Sequence, residues 1–239
     1  MPTSPVCAVT FDFGLTLCDL DTAMLARRLA ERAIVVSSAR LDGALSAARA
    51  AYDSAITEGD GGHPWKTSMG RLLDLAGVPA DAACAAVDWL WTEQPRRNLW
   101  RRPVAGMIDL ARALRVAGVR VGIVSNSEGH LAELVAEIGW RDDFPVVADS
   151  GRLGVEKPDP AIFRWAIDRL GVPATHAVHV GDSWAADVAG AIRAGARAVW
   201  FRGVGDRPLP AGVRRAHDAE GVRDALRAWG LPQAPSRVA

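Results

Sequence analysis

The sequence predicts an α/β fold: a mostly parallel sheet with an all-helical segment inserted after its first strand. Two observations predict it. Beyond residue 103, short β-branched runs alternate with amphipathic helical stretches, the pattern of right-handed crossovers between parallel strands. One further apolar run, residues 6–11, stands apart from these, and the chain between it and them reads as helix.

Taken in order, residues 6–11 form a buried strand. Residues 22–94 are rich in alanine, leucine and arginine, as in "TAMLARRLAERA" and "RLDGALSAARAAYDSAI", which read as amphipathic helices. The loop "EGDGGHPW" at 58–65 breaks them, and two further helices follow at 66–76 and 80–91. "EQPRRNLWRRP" reads as a connector back to the sheet. Then come helix 104–117, strand 119–124, helix 128–138, strand 144–148, helix 160–170, strand 177–180, helix 184–194 and strand 196–201. The tail after Leu231 reads as frayed. The expected division is an α/β core of residues 1–18 and 98–239 and a helical insertion of residues 19–97.

With 239 residues, 49% of them hydrophobic, the chain has ample material for a core. Formal net charge is zero, so nothing favours bulk attraction to nucleic acid or a membrane surface. No run reaches the roughly 18 apolar residues of a membrane span. The N-terminus lacks the basic and apolar regions of a signal peptide. Cys7, Cys18 and Cys84 have no metal-type spacing and read as buried free thiols of a reducing cytosol. The expected location is cytoplasmic, as a monomer or homodimer.

In an open parallel sheet, function belongs at the carboxyl ends of the strands. The first strand ends at Asp12 in "FDFGLTL". The second ends at Ser125-Asn126 in "VSNS", and a later one ends at Gly181-Asp182, followed by Asp187, in "HVGDSWAADVAG". Lys157 lies before a helix in "GVEKPDP". Carboxylate oxygens suit a hard cation such as Mg²⁺. A helix start with Ser and Lys suits a phosphate. Asp12 suits a ligand, a nucleophile or both. Each piece alone also reads blandly, a strand-end Asp as a helix cap and a lone Lys as a solvated side chain. Their order and strand positions together give them weight.

On these motifs the chain resembles the haloacid dehalogenase superfamily, with a C1-type helical cap. The four family motifs are matched in order by "FDFGLTL", "VSNS", "GVEKPDPAIF" and "HVGDSWAADVAGAIRAG", across residues 5–201. The resemblance implies a Rossmann-like three-layer core with Asp12 as the nucleophile that forms an aspartyl-phosphate. It implies Mg²⁺ held by Asp12, the carbonyl of Gly14 and Asp182, with Asp187 nearby as a further ligand or just behind them. Ser125 and the amide of Asn126 would bind phosphoryl oxygens, with Thr16 in place beside them, and Lys157 would offset charge. The implied activity is hydrolysis of a small phosphorylated metabolite, with a cap that opens and closes about residues 19–21 and 96–103.

One position departs from the family. Its phosphatases usually carry a second Asp, the acid–base group, where this chain has Gly14, and Leu15 replaces the usual glycine. Three readings follow. The first is a Mg²⁺-dependent phosphatase whose acid–base role is filled by water, the substrate or a cap residue. The second is a carbon-centre hydrolase such as a 2-haloacid dehalogenase, which also lacks that Asp but departs from the Gly181-Asp182 pair. A phosphonatase-like enzyme, needing a cap lysine such as Lys66, is a minor variant. The third is a non-catalytic member that binds a phosphometabolite or a protein. His63, Trp65 and Lys66, in the cap loop 58–66, are candidate substrate contacts, with His63 a candidate acid–base; a plain interhelix turn is the alternative. His130 reads as a helix-face residue and His179 as a group packed behind the site. Arg96, Arg97, Arg101 and Arg102 read as a solvated connector paired with acids of the insertion, with attraction of anionic substrates as the alternative.

Overall fold

The computed structural model describes residues 5–58 and 63–232. The described chain runs β1 (Ala8–Phe11), β2 (Cys18–Leu20), α1 (Thr22–Ala30), α2 (Ser38–Glu58), α3 (Pro64–Leu75), α4 (Ala80–Glu93) and β3 (Trp100–Pro103). It continues with α5 (Met107–Val116), β4 (Arg120–Ser125), α6 (Leu131–Glu137), β5 (Val146–Asp149), α7 (Ser150–Leu153), α8 (Pro160–Leu170) and β6 (Ala177–Gly181). Last come α9 (Ala189–Arg193), β7 (Arg197–Phe201), β8 (Val213–Ala216) and α10 (Ala219–Arg227). Two units emerge: one takes its residues from the chain up to Asp19 and from Pro103 onward, the other is Leu20–Arg102.

The first unit holds a six-stranded sheet in the order β5-β4-β1-β6-β7-β8, with every pairing parallel. Strand alternation explains its layers. Ala8, Val124, Ala148, Ala198 and Trp200 face one core cluster with Ile162, Phe163, Ala166 and Ile167 of α8 and Ala191 of α9. The intervening Val9, Phe11, Val121, Ile123, Val199 and Phe201 are buried as well, so both faces of the sheet are covered. α5 packs on β4, and α10 on β7 and β8. α8 shows how sequence sets such a helix. Asp159 caps its N-terminus through Ala161 N, Pro160 takes the first turn, and Gly171 ends it in the left-handed region at φ 64°.

The second unit is built by α1–α4 around Leu25, Leu29, Leu41, Met69, Leu72, Leu73 and Leu90. Trp89 and Trp100 pack against this cluster, while Trp91 lies against Trp65 and His63. Arg97 pairs with Glu31 at 2.5 Å and Arg102 with Asp42 at 3.5 Å, as expected of a connector paired with nearby acids.

Several elements differ from expectation. β2, α7, β8 and α10 arise where no element was predicted, and the connector contains β3. The expected helix 128–138 starts only at Leu131, with His130 as its N-cap residue and not on a helix face. The helix expected from 184 opens with a π-helical turn, Trp184–Val188. Only Cys18 of the three thiols is buried; Cys7 is half-buried and Cys84 exposed, because its helical position faces away from the cluster. The tail beyond residue 232 and residues 59–62 of the loop lie outside the described residues. No described helix is long and apolar enough to cross a membrane.

Candidate active site

β1 is the central strand, flanked by β4 and β6, so the residues leaving these three strands converge. Asp12 follows β1 directly, and its N–H donates to the Val180 carbonyl at 2.8 Å. Ser125 ends β4, and Asp182 follows β6. Asp187 comes from the π-helical turn, which Ser183 caps by accepting from Ala186 N. Lys157 reaches in from the segment before α8.

The Lys157 ammonium lies 2.6 Å from both Asp12 Oδ1 and Asp187 Oδ1, and it is 3% exposed. Asp12, Asp182 and Asp187 each present a carboxylate oxygen, all within 4.8 Å of one another. Behind them lies a hydrogen-bonded chain. His179 Nε2 meets Asp187 Oδ1 at 3.0 Å, and its Nδ1 meets Thr10 Oγ1 at 2.9 Å. Ser183 N–H donates to Asp187 Oδ2 at 2.9 Å.

This wiring divides the two Lys157-bound carboxylates. Burial pushes the Asp12 carboxyl up; Lys157 offsets part of that push, and the negative charge of Asp187 adds to it. Burial acts on Asp187 too, but there the Lys157 ammonium and the His179 hydrogen bond outweigh it and hold the carboxyl below its ordinary range. Asp187 has more partners, so it holds the ionised form more firmly. A divalent cation among the three carboxylates would relieve the excess negative charge, and an all-oxygen, carboxylate-rich set fits Mg²⁺.

Gly181 makes this possible through its missing side chain. A Cβ there would stand 2.3 Å from Asp187 Cγ and 2.4 Å from its Oδ2. Gly181→Ala is therefore expected to lose about 1–3 kcal/mol of stability and to displace Asp187 from Lys157. Urea unfolding of the two proteins checks this; equal midpoints and slopes would refute it.

The loop after Asp12 is closed by Leu17 N and Cys18 N, both donating to Phe13 O at 2.9 Å, and by Leu15 N donating to Cys18 O at 2.7 Å. Leu15 sits at φ 57°, a left-handed conformation that favours glycine. The loop thus keeps a glycine-type backbone at that position without a glycine. Gly14 bridges to Cys18 and is not among the residues held at positive φ.

Asn126 faces Lys157 through its side chain, accepting from Lys157 N at 2.7 Å and donating to Lys157 O at 2.9 Å. Thr16 is fully buried, and its hydroxyl meets no hydrogen-bond partner among the described residues. In the other unit, His63 caps α3 through Trp65 N and stacks on Trp91, with ring centroids 4.3 Å apart. Lys66 pairs with Asp88 at 2.7 Å. The sequence reading missed Asp149, a buried carboxylate at the end of β5. The sequence shows only that "VVADSG" ends an apolar run in an acid; the strand beside it is set by the β4–β5 pairing.

A family model for haloacid dehalogenase-like hydrolases matches residues 7–195. The chain is 32% identical over 163 residues to haloacid dehalogenase-like hydrolase domain-containing protein 3 of Mus musculus, covering 68% of this chain and 64% of that protein's length. It is 32% identical over 200 residues to glyceraldehyde 3-phosphate phosphatase of Methanopyrus kandleri, covering 82% of this chain and 83% of that one. The HAD-hydrolase YfnB of Bacillus subtilis, crystallised with magnesium, shares the fold with a TM-score of 0.72 at 20% identity, over 93% of this chain and 99% of that one. By class, then, this is an α/β protein with a buried carboxylate cluster at its strand ends. The chain belongs to the haloacid dehalogenase-like hydrolases.

Proposed function

We propose that this hydrolase is a phosphatase that transfers a phosphoryl group from a small phosphorylated metabolite to Asp12 and then to water. The observation that carries the reading is the cluster of Asp12, Asp182 and Asp187 within 4.8 Å, with one buried Lys157 ammonium bridging Asp12 and Asp187. The phosphatase name of the Methanopyrus kandleri relative supports it.

An anionic nucleophile must approach an anionic substrate, so donors and cations have to neutralise both. Asp12, Asp182, Asp187 and the Gly14 carbonyl would hold Mg²⁺, which supplies Lewis-acid charge at the phosphoryl group. Ser125 Oγ and the Asn126 amide bind phosphoryl oxygens. Lys157 offsets part of the cost of ionising Asp12 and aims its carboxylate. An Asp12 oxygen then bonds to phosphorus as the bond to the leaving oxygen breaks. Water next attacks phosphorus, frees phosphate and restores the Asp12 carboxylate. The residues from Leu20 to Arg102 act as a cap that selects the substrate.

Gly14 offers no proton to the leaving oxygen. The reading therefore expects substrates whose leaving groups have low pKa, such as acyl or aryl phosphates, to be turned over best. Gly14→Asp is expected to raise hydrolysis of alkyl phosphates by about 10²-fold and to flatten the dependence of rate on leaving-group pKa. A series of phosphate esters run on both proteins measures this. An unchanged slope would mean that the proton comes from elsewhere.

Hydrolysis of p-nitrophenyl phosphate with and without Mg²⁺ tests the reading directly. Mg²⁺-dependent turnover is expected. If none occurs while a 2-haloacid is dehalogenated, the carbon-centre reading replaces this one.

A further inference from the structure

Asp149 lies beside the site without touching the three clustered carboxylates in any described bond. It is the strand partner of Ser125 in the parallel β4–β5 pair, and it is 2% exposed. Its Oδ1 accepts from Ser127 Oγ at 2.7 Å, Gly129 N at 3.1 Å and Gly151 N at 3.0 Å; its Oδ2 accepts from Leu131 N at 2.9 Å.

Two of these four donors, Ser127 and Gly129, belong to the turn that follows Ser125-Asn126, and a third, Leu131, opens α6. Residues 126–130 have no strand or helix ladder of their own; Gly151 N donates to Ser127 O at 3.0 Å, and side chains supply much of the rest. The usual device fails here, because His130 at the start of α6 makes no capping bond. A carboxylate from the neighbouring strand takes over that duty. Ser150 reinforces it, accepting from Ser127 N at 3.0 Å and donating to Ser127 O at 3.1 Å. Gly151 lets the segments meet: a Cβ there would lie 2.5 Å from Gly129 N.

We infer that Asp149 is a positioning residue that fixes the turn presenting Ser125 Oγ and the Asn126 amide to a phosphoryl group; this rests on the phosphatase reading for its ligand. An ionised carboxylate is acceptor-only and suits four donors. An amide in its place turns two hydrogens toward groups that are themselves donors, and the turn must open.

The test uses the full chain with saturating Mg²⁺. Calorimetry measures inorganic phosphate affinity, kinetics gives KM and kcat for p-nitrophenyl phosphate, and hydrogen exchange follows the amides of Gly129 and Leu131. Asp149→Asn is expected to weaken phosphate binding about 10–100-fold, as supporting groups behind a site commonly do. KM should rise with it, exchange at both amides should quicken, and the Mg²⁺ concentration giving half-maximal binding should stay within about twofold. Phosphate affinity equal to wild type in a folded but less stable Asp149→Asn would overturn the inference. Should that variant not fold, Ser127→Ala removes one donor and keeps the carboxylate; it is expected to weaken phosphate about threefold, and an unchanged affinity there overturns the inference equally. Wild-type protein that binds phosphate but hydrolyses no phosphate ester overturns the phosphatase reading alone. Wild-type protein that binds no phosphate overturns both.

Discussion

Asp12→Asn is expected to abolish p-nitrophenyl phosphate turnover, with kcat falling by at least roughly 10⁴-fold. Asparagine has the shape of aspartate and still accepts from Lys157 Nζ, which lies 2.6 Å from Asp12 Oδ1. It has no nucleophilic carboxylate, so the fold should persist while the chemistry stops. Stability gives a second readout. Burial raises the Asp12 carboxyl in the folded chain. The metal-free native state therefore binds protons that the unfolded chain has already released. Stability then falls as pH rises from the unfolded carboxyl value toward the folded one. Neutral asparagine removes that dependence and leaves Lys157 to Asp187 alone. Metal-free Asp12→Asn is expected to be more stable than wild type at neutral pH by on the order of 1 kcal/mol, as functional sites commonly trade stability for activity. Thermal unfolding across pH in a chelator checks both points. Residual turnover near wild type would remove Asp12 from the role of nucleophile.

Lys157→Met carries the other large effect. Its ammonium is the cation shared by two buried carboxylates, at 2.6 Å from each. Removing one member of a buried ionic cluster leaves its partners uncompensated and is strongly destabilising, by about 3–5 kcal/mol. Methionine keeps much of the side-chain volume, so the loss reports charge rather than a cavity. Turnover should fall by about 10³-fold or more, because the nucleophile and substrate then repel without a fixed counter-charge. Added Mg²⁺ should recover part of the stability, since it brings positive charge to the same carboxylates. Urea unfolding with Mg²⁺ and with a chelator reads this out. A variant as stable as wild type in chelator would mean that Lys157 and the two carboxylates do not form the network described.

The parts legible in the sequence are those fixed by local pattern. Apolar β-branched runs marked β1, β4, β6 and β7, and acids at their ends marked Asp12 and Asp182. The parts that were not legible depend on distant partners. Asp149 sits on a strand whose role follows from lying beside β4, and no spacing within "VVADSG" states that neighbour. The Thr10–His179–Asp187 chain joins residues on different elements, and only the adjacency of β1 and β6 brings Thr10 to His179. His63 and Lys66 were drawn from a loop by residue type. Their described partners, Trp65, Trp91 and Asp88, are helical neighbours that a turn between helices also supplies. β8 escapes the sequence reading because "VRRA" carries charge on an outer strand, whereas α10 had a readable signal, an Asp218 cap followed by Val222, Ala225 and Leu226 on one face.

The place of β1 at the middle of the sheet bears on how the chain reaches this state. Its partners begin at Arg120 on one side and Ala177 on the other, so Ala8 is bonded to segments that lie far along the polypeptide. Local helices such as α1–α4 need no such closure and can form while the central strand still waits. Until β4 and β6 arrive, the apolar AVTF segment has two unpaired edges. Nascent chains halted before residue 120 would expose it to self-association, whereas chains extended past β6 would have both partners in hand. The strand that leads into Asp12 is therefore expected to find its partners late in assembly.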